Sequence, residues 1–203
     1  MEAVEIAMIT VHVATLDDIN YIDHLQRKNA EELSFYPKAV FDREVQVGRI
    51  LLARLNGEPC GYLYHGAMRP RCKIYQACIQ YDARGELYGA ALVGWLLDMA
   101  KQAGVYSMHL RCGSDIMANN FWHSVGFYCE GVHPGGIRRM RDINCWRYDL
   151  VDDLFQNIME PSSKAQDASV WRKRGDISAG SQFIRGRALT AYRDLILSGN
   201  DEN

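Results

Sequence analysis

The chain has 203 residues, with 23 Lys plus Arg against 25 Asp plus Glu and a formal charge of -2. A chain of this length buries roughly 70% of the surface it exposes when unfolded, so it needs no disulfide or zinc staple. Hydrophobic residues at 48% and charged residues at 24% exclude collagen-like, coiled-coil and wholly disordered classes, and the net charge does not favour a nucleic-acid partner, although a local basic patch stays open.

Residues 8–13, MITVHV, alternate and predict a first strand. Thr15, with Asp18 three residues on, has capping-box spacing and opens a helix whose apolar stripe is Ile19, Ile22 and Leu25. A shorter helix follows around Phe41 to Val47. Ile50 to Leu55, then Asn56-Gly57, then Cys60 to His65 is a hairpin signal, because Asn-Gly supplies the positive φ of a tight turn. Residues 72–81, CKIYQACIQY, are the longest strand-like run and are expected to be central. Residues 84–104 predict a helix with Leu92, Leu96 and Met99 on one face and Gly104 at its end. Val105 to Arg111 reads as a buried strand. Ser114 or Asp115 is expected to cap a helix with Ala118, Phe121, Trp122 and Val125 on one side, ended by Gly126. Phe127 to Val132 and Asn144 to Leu150 are two further strands around an Arg-rich connection.

The order β-α-α-β-β-β-α-β-α-β-β predicts an α/β fold, a mixed and mostly antiparallel sheet with helices on both faces. Residues 1–150 read as one domain and 151–203 as a C-terminal extension, with a helix expected at 183–197. That extension carries 7 basic and 8 acidic residues, so it is not a basic arm.

The six cysteines (Cys60, Cys72, Cys78, Cys112, Cys129, Cys145) form no CxxC pair, and most fall in strand-like text. They are expected to be reduced, buried thiols, with the cytoplasm as the default compartment. The six histidines have no HExxH-like spacing, and no metal site is expected. Apolar runs such as residues 90–97 fall well short of a membrane span. The start MEAVEIAM lacks the basic end and apolar core of a signal peptide. No membrane partner is expected, and a monomer or homodimer is.

Two local patterns carry chemistry. The first is Arg84-Gly85-Glu86-Leu87-Tyr88-Gly89-Ala90, directly after the long strand. A tight strand-to-helix turn aims several backbone N–H groups into one concavity, and the helix N-terminus adds positive potential, which suits a pyrophosphate. Gly85 and Gly89 permit close approach of a ligand. The second is DIMANNFWHSVGF, residues 115–127.

Together with the element order, these residues resemble the GCN5-related N-acetyltransferase (GNAT) family over about residues 8–150. The first stretch is similar to the family pattern Q/R-x-x-G-x-G/A, with Arg84 and Gly89 matching and Leu87 standing at the usual first glycine. The second is similar to N-x-x-A-x-x-x-Y-x-x-x-G-F, with Ala118, Gly126 and Phe127 matching. Asp115 replaces the Asn and Trp122 replaces the Tyr that often protonates the leaving thiolate. An indole N–H donates a hydrogen bond but is no practical acid.

The resemblance implies acetyl-CoA, or another short acyl-CoA, as cosubstrate and acetyl transfer to a primary amine in a ternary complex. It implies that the amides of Cys78, Ile79, Gln80 and Tyr81 lie toward the thioester oxygen, that residues 84–90 hold the pyrophosphate, and that Phe121 and Trp122 flank the pantetheine arm. A general base must reach the amine directly or through water. The candidates are His65, Tyr75 and Gln76, with Glu31 and Glu32 on the first helical region. His65 has the most suitable ordinary pKa, and its rival reading is a surface-strand histidine without a role.

Residues 133–150, HPGGIRRMRDINCWRYDL, hold Arg138, Arg139, Arg141 and Arg147. The resemblance makes this connection a wall of the acceptor cleft. There Arg138 and Arg141, with Trp146 stacking, suit an anionic amine such as an aminated nucleobase or nucleotide. The rival is a solvated hairpin with stray arginines. The Gly-Gly-x-Arg-Arg-x-Arg…Trp ending is similar to that of family-like proteins of phage and prophage type. A different class is a catalytically degenerate acyl-CoA-binding or interaction module, which Leu87 and Trp122 favour.

Overall fold

The computed structural model describes residues 9–136 and 140–150. The backbone falls into two compact units, one up to Val105 and one from Tyr106 onward. The elements follow the order read from the sequence.

The first unit holds β1 (Ile9–Val13), α1 (Ile19–Lys28), α2 (Lys38–Gln46), β2 (Ile50–Leu55), β3 (Glu58–His65), β4 (Arg71–Ile79) and α3 (Tyr88–Gln102). Its strands form an antiparallel meander in which each pairs with the next. Thr15 begins α1 as its spacing predicts, through a single turn of 3-10 helix at Leu16–Asp18. The Thr15 backbone N–H and hydroxyl both donate to Asp18 Oδ2, at 2.8 and 2.9 Å. Asp18 is buried, and Arg54 from β2 donates to its other oxygen at 2.5 Å. The β2–β3 turn has Asn56 at φ 50° and Gly57 at φ 89°, the left-handed pair that Asn-Gly supplies.

Side chains on these strands divide by alternation. Ile50, Leu52, Tyr62, Tyr64 and Cys78 share a core with Ile19, Ile22 and Leu25 of α1 and Phe41 and Val45 of α2. Leu51 and Leu63 point the other way and are fully buried, on the face that α3 crosses. Gly61 is required by packing, since a Cβ there would lie 2.8 Å from the Cys78 carbonyl oxygen of the adjoining strand. Each large apolar side chain in this double-faced core contributes on the order of 1.5–3 kcal/mol.

The second unit holds β5 (Ser107–Gly113), α4 (Ala118–Ser124), β6 (Tyr128–Pro134) and β7 (Asp142–Asp149). Here β7 lies between β5 and β6, antiparallel to both. The expected cap of α4 at Ser114 or Asp115 is corrected: the helix begins at Ala118, with Met117 at the cap position. Residues 114–116 instead form turns held by Asn119, described below. The extension at 151–203, its expected helix, and Arg138 and Arg139 lie outside the described residues.

Candidate active site

β4 ends at Ile79, not Tyr81, and a 3-10 turn at Tyr81–Ala83 leads toward α3. This corrects one of the four amides expected to face a thioester oxygen, since the Gln80 N–H already donates to the Cys60 carbonyl at 2.8 Å. Tyr81 has left the strand and is 81% exposed. Residues 84–87 then turn into α3. Gly85 sits at φ 89°, a left-handed conformation that favours glycine, and nothing lies within 4 Å of the place a Cβ would occupy.

The start of α3 carries no side-chain cap. Leu87 takes the cap position and makes no side-chain cap bond, and the first turn carries no acidic residue. The first bond closing the helix runs from the Ala91 N–H to the Leu87 carbonyl at 2.8 Å. The amides of Tyr88, Gly89 and Ala90 therefore precede the helical ladder and point outward from its positive end. Ordinary helices place Ser, Thr, Asp or Asn here to satisfy those donors. A leucine at the cap gives them no side-chain acceptor, and this residue of the sequence pattern removes no donor. The residues present fit a pyrophosphate.

Arg84 stands beside this turn. Its Nε donates to the Ile79 carbonyl at 3.2 Å, and its Nη2 to Asn29 Oδ1 at 2.6 Å and Glu32 Oε2 at 3.3 Å. The guanidinium also lies 5.7 Å from the Tyr81 ring centroid.

The segment between α1 and α2 is pinned by two buried carboxamides that sequence reasoning did not single out together. Gln26 of α1 donates through Nε2 to the Tyr36 carbonyl at 2.9 Å and accepts from the Tyr36 N–H at 2.7 Å. Gln76 of β4 donates to Gln26 Oε1 at 3.0 Å and to the Ser34 carbonyl, and accepts from the Tyr62 hydroxyl at 2.9 Å. Gln76 is thus a fully engaged structural amide, which corrects its candidacy as a base. The clamp sets Tyr36 edge-on to Tyr64 and Tyr75, at 5.4 and 6.2 Å between centroids. Tyr75 packs on Tyr64 at 4.8 Å, lies beneath the Lys73 ammonium, and remains 38% exposed. Burial pushes the Tyr64 phenol up to about 12. Glu31 is exposed.

His65 is not a surface-strand residue: it is 2% exposed, at a bulge where β3 and β4 shift register. Its Nδ1–H donates to the Gly66 carbonyl at 2.8 Å, and Nε2 has no hydrogen-bond partner. Burial lowers its pKa below 6.5, with Arg49 adding to the effect. The unfolded imidazole takes up a proton near pH 6.5, whereas the folded one resists it. The contribution to stability is therefore complete above that pH and is lost as pH falls through the window below it. Chemical denaturation is expected to show stability dropping below pH 6.5 by up to about 1.4 kcal/mol per pH unit for this group. His65→Phe is expected to flatten that slope.

In the second unit, Trp122 is 5% exposed and packs between Phe121 and Phe127, at 5.0 and 5.3 Å between centroids. It is a core residue of α4, and Phe121 is half-buried beside it. Trp146 is corrected more sharply. It is 4% exposed and its Nε1–H donates to Asn119 Oδ1 at 2.9 Å, so no face is offered for stacking. Asn119 organises the region. Its Nδ2 donates to the carbonyls of Gly113 and Ile116, both at 2.7 Å, and Oδ1 also accepts from Asn144 at 3.0 Å. Arg141 is not a free anion receptor, because its Nη1 lies 3.4 Å from Asp115 Oδ1 and its stem covers Gly113.

All six cysteines are free thiols, and four of them are buried. Burial pushes Cys72 and Cys78 up to about 11. Since the thiolate is the nucleophile, the native protein is expected to react with a thiol-specific disulfide reagent far more slowly than the denatured chain. Its intact mass is expected to be unchanged after incubation with acetyl-CoA. Rapid labelling of Cys72 or Cys78, or a stable acetyl adduct, would contradict this. No group of three or more potential metal ligands occurs among the described residues, and no helix among them is long and apolar enough to cross a membrane.

Residues 15–127 match the acetyltransferase (GNAT) family, more than half of the chain. The protein belongs to that family. Ard1 from Thermoplasma volcanium is similar in fold, with a TM-score of 0.63 and 16% identity over 71% of this chain and 99% of that one. The putative acetyltransferase yncA from Salmonella typhimurium, solved with its cofactor acetyl-CoA, has a TM-score of 0.62 and 17% identity over 76% and 98%. The ribosomal-protein-S18-alanine N-acetyltransferase of Escherichia coli has a TM-score of 0.60 and 15% identity over 77% and 98%. No curated protein matches the chain in sequence.

Proposed function

We propose that the protein is an acyl-CoA-dependent N-acyltransferase that moves acetyl, or another short acyl group, from the CoA thioester to a primary amine by direct attack in a ternary complex. The observation that carries this reading is the start of α3. Its first turn has no side-chain cap and no acidic residue, and it follows a left-handed Gly85 with Arg84 alongside. Family membership supplies the class of chemistry.

The bound cofactor supplies the activated acyl carbon. The amine nitrogen forms the new C–N bond, the C–S bond breaks, the departing thiolate takes up a proton, and the ammonium formed loses one. The amides of Tyr88, Gly89 and Ala90, with Arg84, hold the pyrophosphate. Of the candidate bases, Tyr75 and Glu31 are at exposed positions, Glu32 is exposed but paired with Arg84, and His65 is buried, as is the Trp122 indole. The reading therefore assigns proton handling to Tyr75 and Glu31, and shaping of the fold to His65 and Trp122.

The narrower reading, an aminated nucleobase or nucleotide, rested on Trp146 and the arginines. The burial of Trp146 and the pairing of Arg141 with Asp115 take away two of its supports, and Arg138 lies outside the described residues. The test is thermal shift with acetyl-CoA, followed by thiol release with a panel of primary amines. Release with any amine supports the enzyme, and Tyr75→Phe is then expected to lower kcat by about tenfold or more without changing the KM for acetyl-CoA. Cofactor binding with no release across the panel would instead support a binding module.

A further inference from the structure

Arg84 connects the turn before α3 to the end of α1. Its guanidinium reaches the last turn of α1, where Asn29 takes the position after the helix and Glu32 the turn beyond it. Asn29 is itself oriented, its Nδ2 donating to the Leu25 carbonyl at 2.8 Å. The N–H groups of Glu32 and Leu33 both donate to the Asn29 carbonyl, at 3.1 and 3.0 Å. A cation at a helix C-terminus is favoured by the helix dipole, so this is a comfortable resting place for Arg84. The turn it holds carries Glu31 and runs on to the clamped Tyr36.

We infer that Arg84 is a shared cation, held by Asn29 and Glu32 in the free protein and drawn from Glu32 by the pyrophosphate of the cofactor. Acyl-CoA binding thereby loosens the turn after α1, and Glu32 acts as a positioning residue that opposes cofactor binding. The inference rests on the reading of residues 84–90 as the phosphate cradle. Exchange is feasible because the Arg84–Glu32 pair is partly exposed, at 36% and 42%. Such pairs contribute little and are easily displaced, whereas charge-assisted bonds from guanidinium to phosphate are short and strong. The Glu32 carboxylate, 3.3 Å from Nη2, also repels an anion approaching the same donor.

The experiment is calorimetric titration of acetyl-CoA into the wild type, Glu32→Gln, Arg84→Ala and the double variant, at low and high salt. Glu32→Gln is expected to tighten binding by about two- to fivefold at low salt, with the gain shrinking at high salt. Arg84→Ala is expected to weaken binding, and adding Glu32→Gln to it is expected to gain much less than in the wild type. Hydrogen exchange at residues 29–36 is expected to rise on acetyl-CoA addition in the wild type but not in Arg84→Ala. If Arg84→Ala weakens binding but Glu32→Gln has no effect, or tightens equally in the Arg84→Ala background, the shared-cation inference is overturned and the cradle stands. If Arg84→Ala and Gly89→Glu both leave the dissociation constant unchanged, the cradle itself is wrong.

Discussion

Replacing Gly89 with glutamate is expected to abolish acetyl-CoA binding while leaving the protein folded. Gly89 is the second residue of α3, among the amides that precede the helical ladder. A carboxylate there competes for the same N–H donors and repels the incoming phosphates. Losing two charge-assisted bonds, at about 1.5–3 kcal/mol each, raises the dissociation constant by about 100-fold or more. Stability is expected to move in the opposite direction. Glutamate is a better helix former than glycine by roughly 0.5–1 kcal/mol, and a negative charge in the first turn of a helix is favourable. Binding loss with an unchanged or higher Tm is therefore the signature, read by calorimetry and thermal denaturation. Gly89→Ala, which adds neither charge nor reach, is expected to bind far better than the glutamate variant. A folded Gly89→Glu protein with wild-type affinity would move the cofactor site elsewhere.

Most of the fold is legible in local signals. Asn56-Gly57 forms its turn, the Ile19, Ile22, Leu25 stripe is buried, and Thr15 with Asp18 begins the first helix as their spacing implies. What sequence reading missed is polar residues at core positions. Gln26 falls on the stripe of Ile19 and Ile22 at helical spacing, and Gln76 falls in the alternation of Cys72, Ile74 and Cys78. A carboxamide inside an apolar period must find buried partners, so each marked a tertiary hydrogen bond whose partner only the folded chain identifies. Trp146 was misread for a related reason. Weighing it with the nearby arginines treats residues 133–150 as one surface, whereas on a strand alternate residues face opposite ways. Asn144 and Trp146 point into the core, while Arg147 faces Glu130 and Asp149. The turn at residues 84–90 was legible because its backbone geometry is set locally, by Gly85 and the start of α3. The exposure of the candidate side chains on β3 and β4 was not, because it depends on the bulge where those strands shift register.

Asn119→Leu is expected to be the most destabilising single change in the second unit. Leucine nearly conserves the volume of asparagine but makes none of its bonds. The Nδ2 donations to Gly113 and Ile116 hold the turns between β5 and α4, and Oδ1 receives both Trp146 and Asn144 of β7. All three side chains are buried, at 4%, 4% and 2% exposure, so water cannot replace what is lost. Each stranded donor or carbonyl costs about 1–3 kcal/mol, and with partial relaxation the total is about 3–5 kcal/mol. That is a large share of the roughly 5–15 kcal/mol that stabilises a typical folded protein. Denaturant unfolding is expected to show it as a lower midpoint, with Trp fluorescence reporting the release of Trp146. Asn119→Asp separates the two halves of the network. Its carboxylate still accepts from Trp146 and Asn144 but faces the Gly113 and Ile116 carbonyls without a donor, so the ionised form is disfavoured and the folded pKa is raised. The aspartate variant is therefore expected to gain stability as pH falls and the carboxyl protonates to restore one donor. A leucine variant as stable as the wild type, or an aspartate variant with no such pH dependence, would show that Asn119 is a bystander to the packing of β7 and not its anchor.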